Sequence, residues 1–188
     1  MASQRQEFRS RLAQIRPNQL IFVDESGAQT NLTRRAGRAP RGERLVDAVP
    51  NGHYQLTTMI GAIRLKGLTA GLIFEGPTDT EAFATFVEKI LAPQLRHGDV
   101  VVMDNLSSHK SQRIATALKR VGAKLWYLPP YSPDFNPIEK MWSKLKCAIR
   151  SSAARTQLKL WNAIGRAWKT VQPSEIQAYF QSCGIPAT

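Results

Sequence analysis

The stretch from residue 99 to 128 constrains the fold more than any other part of the chain. Val100-Val101-Val102-Met103 is an uninterrupted apolar run of strand length. Residues 110–121 then carry Ile114, Leu118 and Val121 at helical spacing up to Gly122, and a second strand pattern occupies 124–128. Two strands joined through a helix make a right-handed crossover, so these strands are predicted to be parallel. Upstream, strand patterns occupy 19–24, 55–63 and 68–75. The last two flank Arg64-Leu65-Lys66-Gly67 and read as an antiparallel hairpin. The chain is therefore predicted to be α/β, a mixed five-stranded sheet flanked by helices. Ligands in such sheets collect at the carboxyl ends of the strands.

Helical patterns complete the layout. Asp79 or Thr80 caps a helix containing Phe83, Phe86, Val87 and Ile90 ahead of Pro93. Residues 137–150 align Ile138, Met141, Trp142, Leu145 and Ile149 on one face. Residues 156–171 align Leu158, Trp161, Ile164 or Gly165, Trp168 and Val171. Residues 4–15 read as a short basic helix, so 1–17 is expected to be an N-terminal helical segment or linker. The main domain is expected over 18–188, with an Arg-rich loop at 34–52 and basic helices at its C-terminal end.

Charge narrows the partners. Lys and Arg number 26 against 14 acids, a net charge of +12 over 188 residues, which predicts attraction to a polyanion and to nucleic acid first. From Lys140 to Ser174 there are eight basic residues and no acid. A second cluster, Arg34, Arg35, Arg38, Arg41 and Arg44, is opposed only by Glu43. The positions expected to meet DNA phosphates are Arg34, Arg35, Arg38, Arg41, Lys110, Lys140, Lys144, Lys146 and Arg150. No apolar run approaches the roughly 20 residues of a membrane span, and the N-terminus lacks the apolar core of a secretory signal, so no membrane partner is expected. Cys147 and Cys183 are too few for a disulfide framework and match no zinc spacing.

Against this basic background three acids stand out. Asp24 ends the apolar run Leu20-Ile21-Phe22-Val23, Asp104 closes Val100–Met103, and Glu139 opens a helix in Asn136-Pro137-Ile138-Glu139. Each has a second explanation. Asp24 fits a turn at Asp-Glu-Ser-Gly. Asp104 could cap the next helix, although Ser107, Ser108 and His109 are better caps for a helix near Lys110. Glu139 fits a capping box with Asn136 at the N-cap and Pro137 at the first position. It also heads a face that continues through Ser143, Lys146 and Arg150. Glu25 alternates away from Asp24 and is expected outside the same site. His109 reads either as a hydrogen-bonded structural histidine or as a contact to substrate or metal. Three carboxylates meeting at one point repel unless cations lie between them. Mg²⁺, with Mn²⁺ as substitute, suits such oxygen ligands. Two ions about 4 Å apart would clamp a phosphodiester.

Phe22-Val23-Asp24-Glu25-Ser26, Met103-Asp104-Asn105 through His109-Lys110, and Leu128-Pro-Pro-Tyr-Ser-Pro-Asp-Phe-Asn-Pro-Ile-Glu139 together resemble the mariner-like DDE transposases, in particular their bacterial insertion-sequence branch. The 34 residues between Asp104 and Glu139, and Gly37-Arg38-Ala39-Pro40-Arg41-Gly42, fit that group as well. The resemblance covers roughly residues 18–150. It implies a ribonuclease H-like, retroviral-integrase-like fold over 18–188, with Asp24, Asp104 and Glu139 as catalytic acids holding two Mg²⁺ ions. It also implies cleavage of DNA at transposon ends and transfer of the freed 3′-hydroxyl into target DNA, by a homodimer assembled on DNA. A bacterial, nucleoid-associated cytoplasmic protein is expected. Such transposases carry helix-turn-helix modules upstream, so recognition of element ends is expected from a separate module. A related nuclease without strand transfer, or a DNA-binding remnant with an inactive site, would share the same fold.

Overall fold

A computed structural model describes residues 2–34 and 36–186. Its centre is a five-stranded sheet of β1 (Leu20–Gln29), β2 (Leu56–Arg64), β3 (Gly67–Glu75), β4 (Val100–Met103) and β5 (Lys124–Tyr127), in the order β3-β2-β1-β4-β5. β1–β2 and β2–β3 are antiparallel, whereas β1–β4 and β4–β5 are parallel. The mixed sheet expected from the sequence is therefore present. The crossover from β4 to β5 runs through α3 (Gln112–Arg120).

Strand alternation divides the core in two. Leu20 and Phe22 of β1 and Val100 and Val102 of β4 face one side, packing with α4 (Ile138–Ser152), α5 (Gln157–Lys169) and α6 (Pro173–Ser182). Ile21, Val23, Val101 and Met103 face the other side, covered by α2 (Thr80–Phe86) and α3. A sheet with both faces covered explains why its central strands are continuously apolar rather than alternating. Asp79 caps α2, its Oδ1 accepting from the Ala82 N–H at 2.7 Å. The helix then relaxes into a π-helical turn, Val87–Leu91, before Pro93.

Three local expectations are corrected, and one helix is added. β1 does not end at Asp24: its parallel pairing with β4 stops at Phe22, but antiparallel pairing with β2 continues to Gln29. Long-range pairing thus overrides the turn preference of Asp-Glu-Ser-Gly. The cap of α3 is Ser111, whose Oγ accepts from the Arg113 N–H, rather than a residue of 107–109. The side chains of Ser107 and Ser108 lie outside the described part of the structure. On α5 the buried face is Leu160, Ala163, Ile164 and Ala167, while Leu158 is 69% exposed. Small residues at 163 and 167 let α5 approach its neighbours closely. Trp168 packs against the core as expected, its ring against Gly71, where a Cβ would come within 2.9 Å of it. α6, unannounced by apolar periodicity, starts at Pro173 with a capping box between Gln172 and Glu175.

The N-terminal helix α1 (Ala2–Leu12) is docked on the main body. Phe8 is buried against Trp126 and Phe135. Arg5 forms a two-pronged pair with Asp134 at 2.9 and 2.6 Å and also donates to Ser132 Oγ at 2.8 Å. Replacing Phe8 by Ala is expected to cost about 3 kcal/mol in urea unfolding, as for other buried aromatic truncations. A helix that served only as a tether would give a change within about 0.5 kcal/mol.

Candidate active site

Where β1 continues past the end of β4, the two parallel strands part and leave a cleft of about 420 Å³. Asp24, Asp104 and Glu139 all line it, joined by Asn105, Leu106, the 128–133 segment and Asn136. Alternation explains two of these placements. Asp24 follows Phe22 and Asp104 follows Val102 onto the α4 side of the sheet. The third acid comes from α4 itself. That helix begins at Ile138 with Pro137 in the cap position, so Glu139 is its second residue and the expected capping box does not form. Freed from capping, the Glu139 side chain is available to the cleft. A larger hollow of about 680 Å³ between α1 and residues 182–186 contains none of the three acids.

The electrostatics arise from this crowding. Burial, reinforced by the charges of Glu139, Glu25 and Asp104, pushes the Asp24 carboxyl up to about 8. Its Oδ2 accepts from the indole Nε1–H of Trp142 at 3.0 Å. Glu25 points to the opposite face of the sheet, as alternation requires, and accepts from His109 Nε2 at 3.0 Å. Across the ring, His109 Nδ1 lies 2.5 Å from Asp104 Oδ1, an ion-pair contact outside hydrogen-bond alignment. The imidazole is fully buried and stacks on Phe83, with ring centroids 3.9 Å apart. Burial pulls His109 down, but the two carboxylates outweigh it and hold the ring up at about 9. Burial likewise raises Asp104, yet the His109 contact and the Leu106 N–H hold that carboxyl below its ordinary value. His109 is thus a structural histidine that reaches the site through Asp104. Its partner Glu25 could not be found from alternation alone, because the link runs through a residue 84 positions away.

Among the described residues no three His, Cys, Asp or Glu side chains close on a single point. Mg²⁺ does not need such a cage, since it keeps several waters and uses one or two carboxylates beside substrate phosphates. Asp24, Asp104 and Glu139, all lining the cleft, are hard oxygen donors of the kind that mode uses. The like-charge strain at Asp24 is what a cation would relieve. The residues present therefore fit divalent ions.

The expected DNA contacts divide. Arg34, Arg38 and Arg41 are exposed in the irregular loop between β1 and β2, and Arg35 lies outside the described residues. Lys110 and Lys140 are exposed, while Lys146 and Arg150 are both half-buried, Arg150 on the last turn of α4. Lys144 has partners within the chain: its ammonium is held by the Glu175 carboxylate at 2.6 and 2.7 Å and by the Thr170 carbonyl at 2.7 Å. That charge serves the junction of α4 and α6. Conversely, Lys159 and Arg166, absent from the expected contacts, border a 270 Å³ hollow with Ser152, Ala154 and Asn162. The usable signal is their seven-residue spacing, two turns along one helix face.

Both Asp24 and His109 have folded values above their ordinary ones, so their stabilisation is complete at low pH. It is lost as pH rises, up to about 8 for Asp24 and from the ordinary histidine range up to about 9 for His109. In EDTA the melting temperature is expected to fall between pH 6.5 and 9. Asp24→Asn should leave only the shallower His109 component, which melting curves across that range would resolve.

The family described as DDE superfamily endonuclease matches residues 19–160. The chain is 27% identical over 111 residues to the Transposable element Tcb1 transposase of Caenorhabditis briggsae, covering 57% of this chain and 41% of that protein. It is 28% identical over 100 residues to the Transposable element Tc1 transposase of Caenorhabditis elegans, covering 53% and 37%. The matches thus span less than half the length of these relatives. Among solved structures, the Mos1 mariner paired end complex with Mn superposes with a TM-score of 0.70 at 14% identity, over 97% of this chain and 56% of that one. The catalytic domain of Mos1 mariner transposase gives 0.62 at 13% identity, over 97% and 84%. The shared fold is the ribonuclease H-like one, with the same mixed five-stranded sheet flanked by helices.

Proposed function

Because the chain belongs to the DDE superfamily endonuclease family, its matched segment carrying Asp24, Asp104 and Glu139, we propose that it is the catalytic domain of a transposase. It cleaves DNA phosphodiesters at transposon ends and transfers the 3′-hydroxyl into target DNA. The observation that carries this reading is that three carboxylates, from β1, the end of β4 and the start of α4, line one cleft. Divalent cations bound there, two Mg²⁺ with Mn²⁺ as substitute, would supply Lewis acidity and neutralise charge on the phosphodiester.

The chain's own groups supply the rest. Asp24 and Asp104 present carboxylate oxygens from rigid sheet positions, and Glu139 presents a third from a helix start. His109 fixes one oxygen of Asp104. The Pro129–Pro133 segment lines the cleft beside the acids. Its end is braced from outside by Arg5. The DNA backbone is met by the exposed bases Arg34, Arg38, Arg41, Lys110 and Lys140, together with Lys159 and Arg166. Arg35, Lys144, Lys146 and Arg150 stay in the same proposal. A homodimer on DNA, a separate upstream module for end recognition, and a bacterial cytoplasmic setting are also proposals. No described helix is long and apolar enough to cross a membrane.

Supercoiled plasmid incubated with the protein and Mg²⁺ or Mn²⁺ is expected to give nicked or linear product. Asp104→Asn and Glu139→Gln should abolish that product while leaving DNA affinity in EDTA intact. Equal background in all three proteins would sink the proposal of a working nuclease centre. A pre-cut end that is never joined to target DNA would reduce the activity to cleavage alone. For the backbone contacts, Lys159→Ala with Arg166→Ala is expected to flatten the dependence of log affinity on log salt by up to about 1.8, the value for two lost phosphate contacts. An unchanged slope would remove that helix face from the DNA path.

A further inference from the structure

We propose that Trp142 is a positioning residue of this cleft, its indole N–H fixing Asp24 so that Oδ1 is the oxygen offered to a divalent cation. The inference rests on the reading of Asp24 as a metal-binding acid. Trp142 lies three residues after Glu139, one turn along α4 and on its buried face. Its Nε1–H donates to Asp24 Oδ2 at 3.0 Å, with the two residues only 2% and 7% exposed. One helix therefore delivers the third acid and also grips the first.

The slot for the indole is built into the sheet. Gly61 pairs directly across from Asp24 in the β1–β2 register. A Cβ at Gly61 would lie 2.9 Å from Trp142 Cη2, closer than real Cβ atoms come to a neighbour, and 3.1 Å from Cζ2. The ring reaches Asp24 only because position 61 carries no side chain.

The chemistry of the donor matters. An indole nitrogen donates and never accepts, so Oδ2 serves as an acceptor and Oδ1 is left for other partners. The donor is also neutral. It orients the carboxylate without cancelling its charge, which an Arg or Lys in the same slot would do. Asp104 is arranged in the complementary way, with Oδ1 taken by the Leu106 N–H and the His109 contact, leaving Oδ2. Each aspartate thus has one oxygen restrained by the protein and one left over.

The competing account is plain packing, in which a large buried ring finds the nearest acceptor for its N–H. Amide-and-indole NMR on the ¹⁵N-labelled full chain separates the two. The Trp142 indole resonance, one of four in this sequence, is identified by its loss in Trp142→Phe. Added Mg²⁺ is expected to shift it in the wild type and to leave it in place in Asp24→Ala. In calorimetry, Trp142→Phe should bind Mn²⁺ about 10-fold more weakly, the lower end of what lost outer partners of metal ligands cost. Its DNA affinity in EDTA should match the wild type. Gly61→Ala, which displaces the indole by a different route, should reproduce the weaker Mn²⁺ binding. Wild-type Mn²⁺ affinity in a Trp142→Phe protein that merely melts earlier would overturn the inference. A wild type that binds no Mn²⁺ would instead overturn the metal reading beneath it.

Discussion

Four carboxylates, from Asp24, Glu25, Asp104 and Glu139, are drawn towards the divergence of β1 and β4, and their mutual repulsion is the constraint that the surrounding structure answers. Each is handled differently. Glu25 is sent to the far face of the sheet, where His109 receives it. Asp104 shares that same imidazole from the other side. Glu139 stays exposed at the cleft. Asp24 alone is buried with only neutral donors, and burial pushes its carboxyl up to about 8. The centre is thus strained towards taking up positive charge, either a proton or a cation.

Holding that arrangement explains otherwise separate features. A fully buried histidine stacked on Phe83 would be costly without two acidic neighbours. A glycine in the middle of β2 weakens a strand, yet here it admits the indole that binds Asp24. α4 packs Ile138, Met141, Trp142, Leu145 and Ile149 into the core, which locks the rotation of the helix and with it the direction of Glu139. The core face and the acid belong to the same rigid body, so stability and site geometry are coupled there.

The basic surface is organised by the same need for partners. Lys144 pairs with Glu175 at the junction of α4 and α6, and Arg155 donates to the Thr30 and Leu32 carbonyls. Arg5 braces Asp134 and lies over the Phe135 ring, 4.5 Å from its centre. Positive charge therefore does two jobs, tying outer helices to the body and leaving a remainder such as Lys159 and Arg166 directed at solvent. Net charge alone cannot separate these roles, because both draw on the same residue types.

Much of the architecture was legible from periodicity. The apolar runs and the hairpin predicted five strands and their mixed pairing, and helical spacing picked out the residues on the buried face of α4. Local pattern was enough there because burial on one or both faces imposes its own spacing. It failed where a distant partner decided. β2 kept β1 extended through Asp-Glu-Ser-Gly; separately, α5 buries Leu160 rather than Leu158, and Pro137 holds the cap expected of Asn136. The sequence by itself determined which acids end apolar runs or open helices, and that the chain is strongly basic. Only the tertiary structure decided that Glu25 joins Asp104 through His109, that Lys144 is spent on Glu175, and that Trp142 reaches Asp24 across 118 residues. Hydrogen bonds and ion pairs depend on distances of a few ångströms between segments remote in sequence, and no periodicity along one segment encodes them.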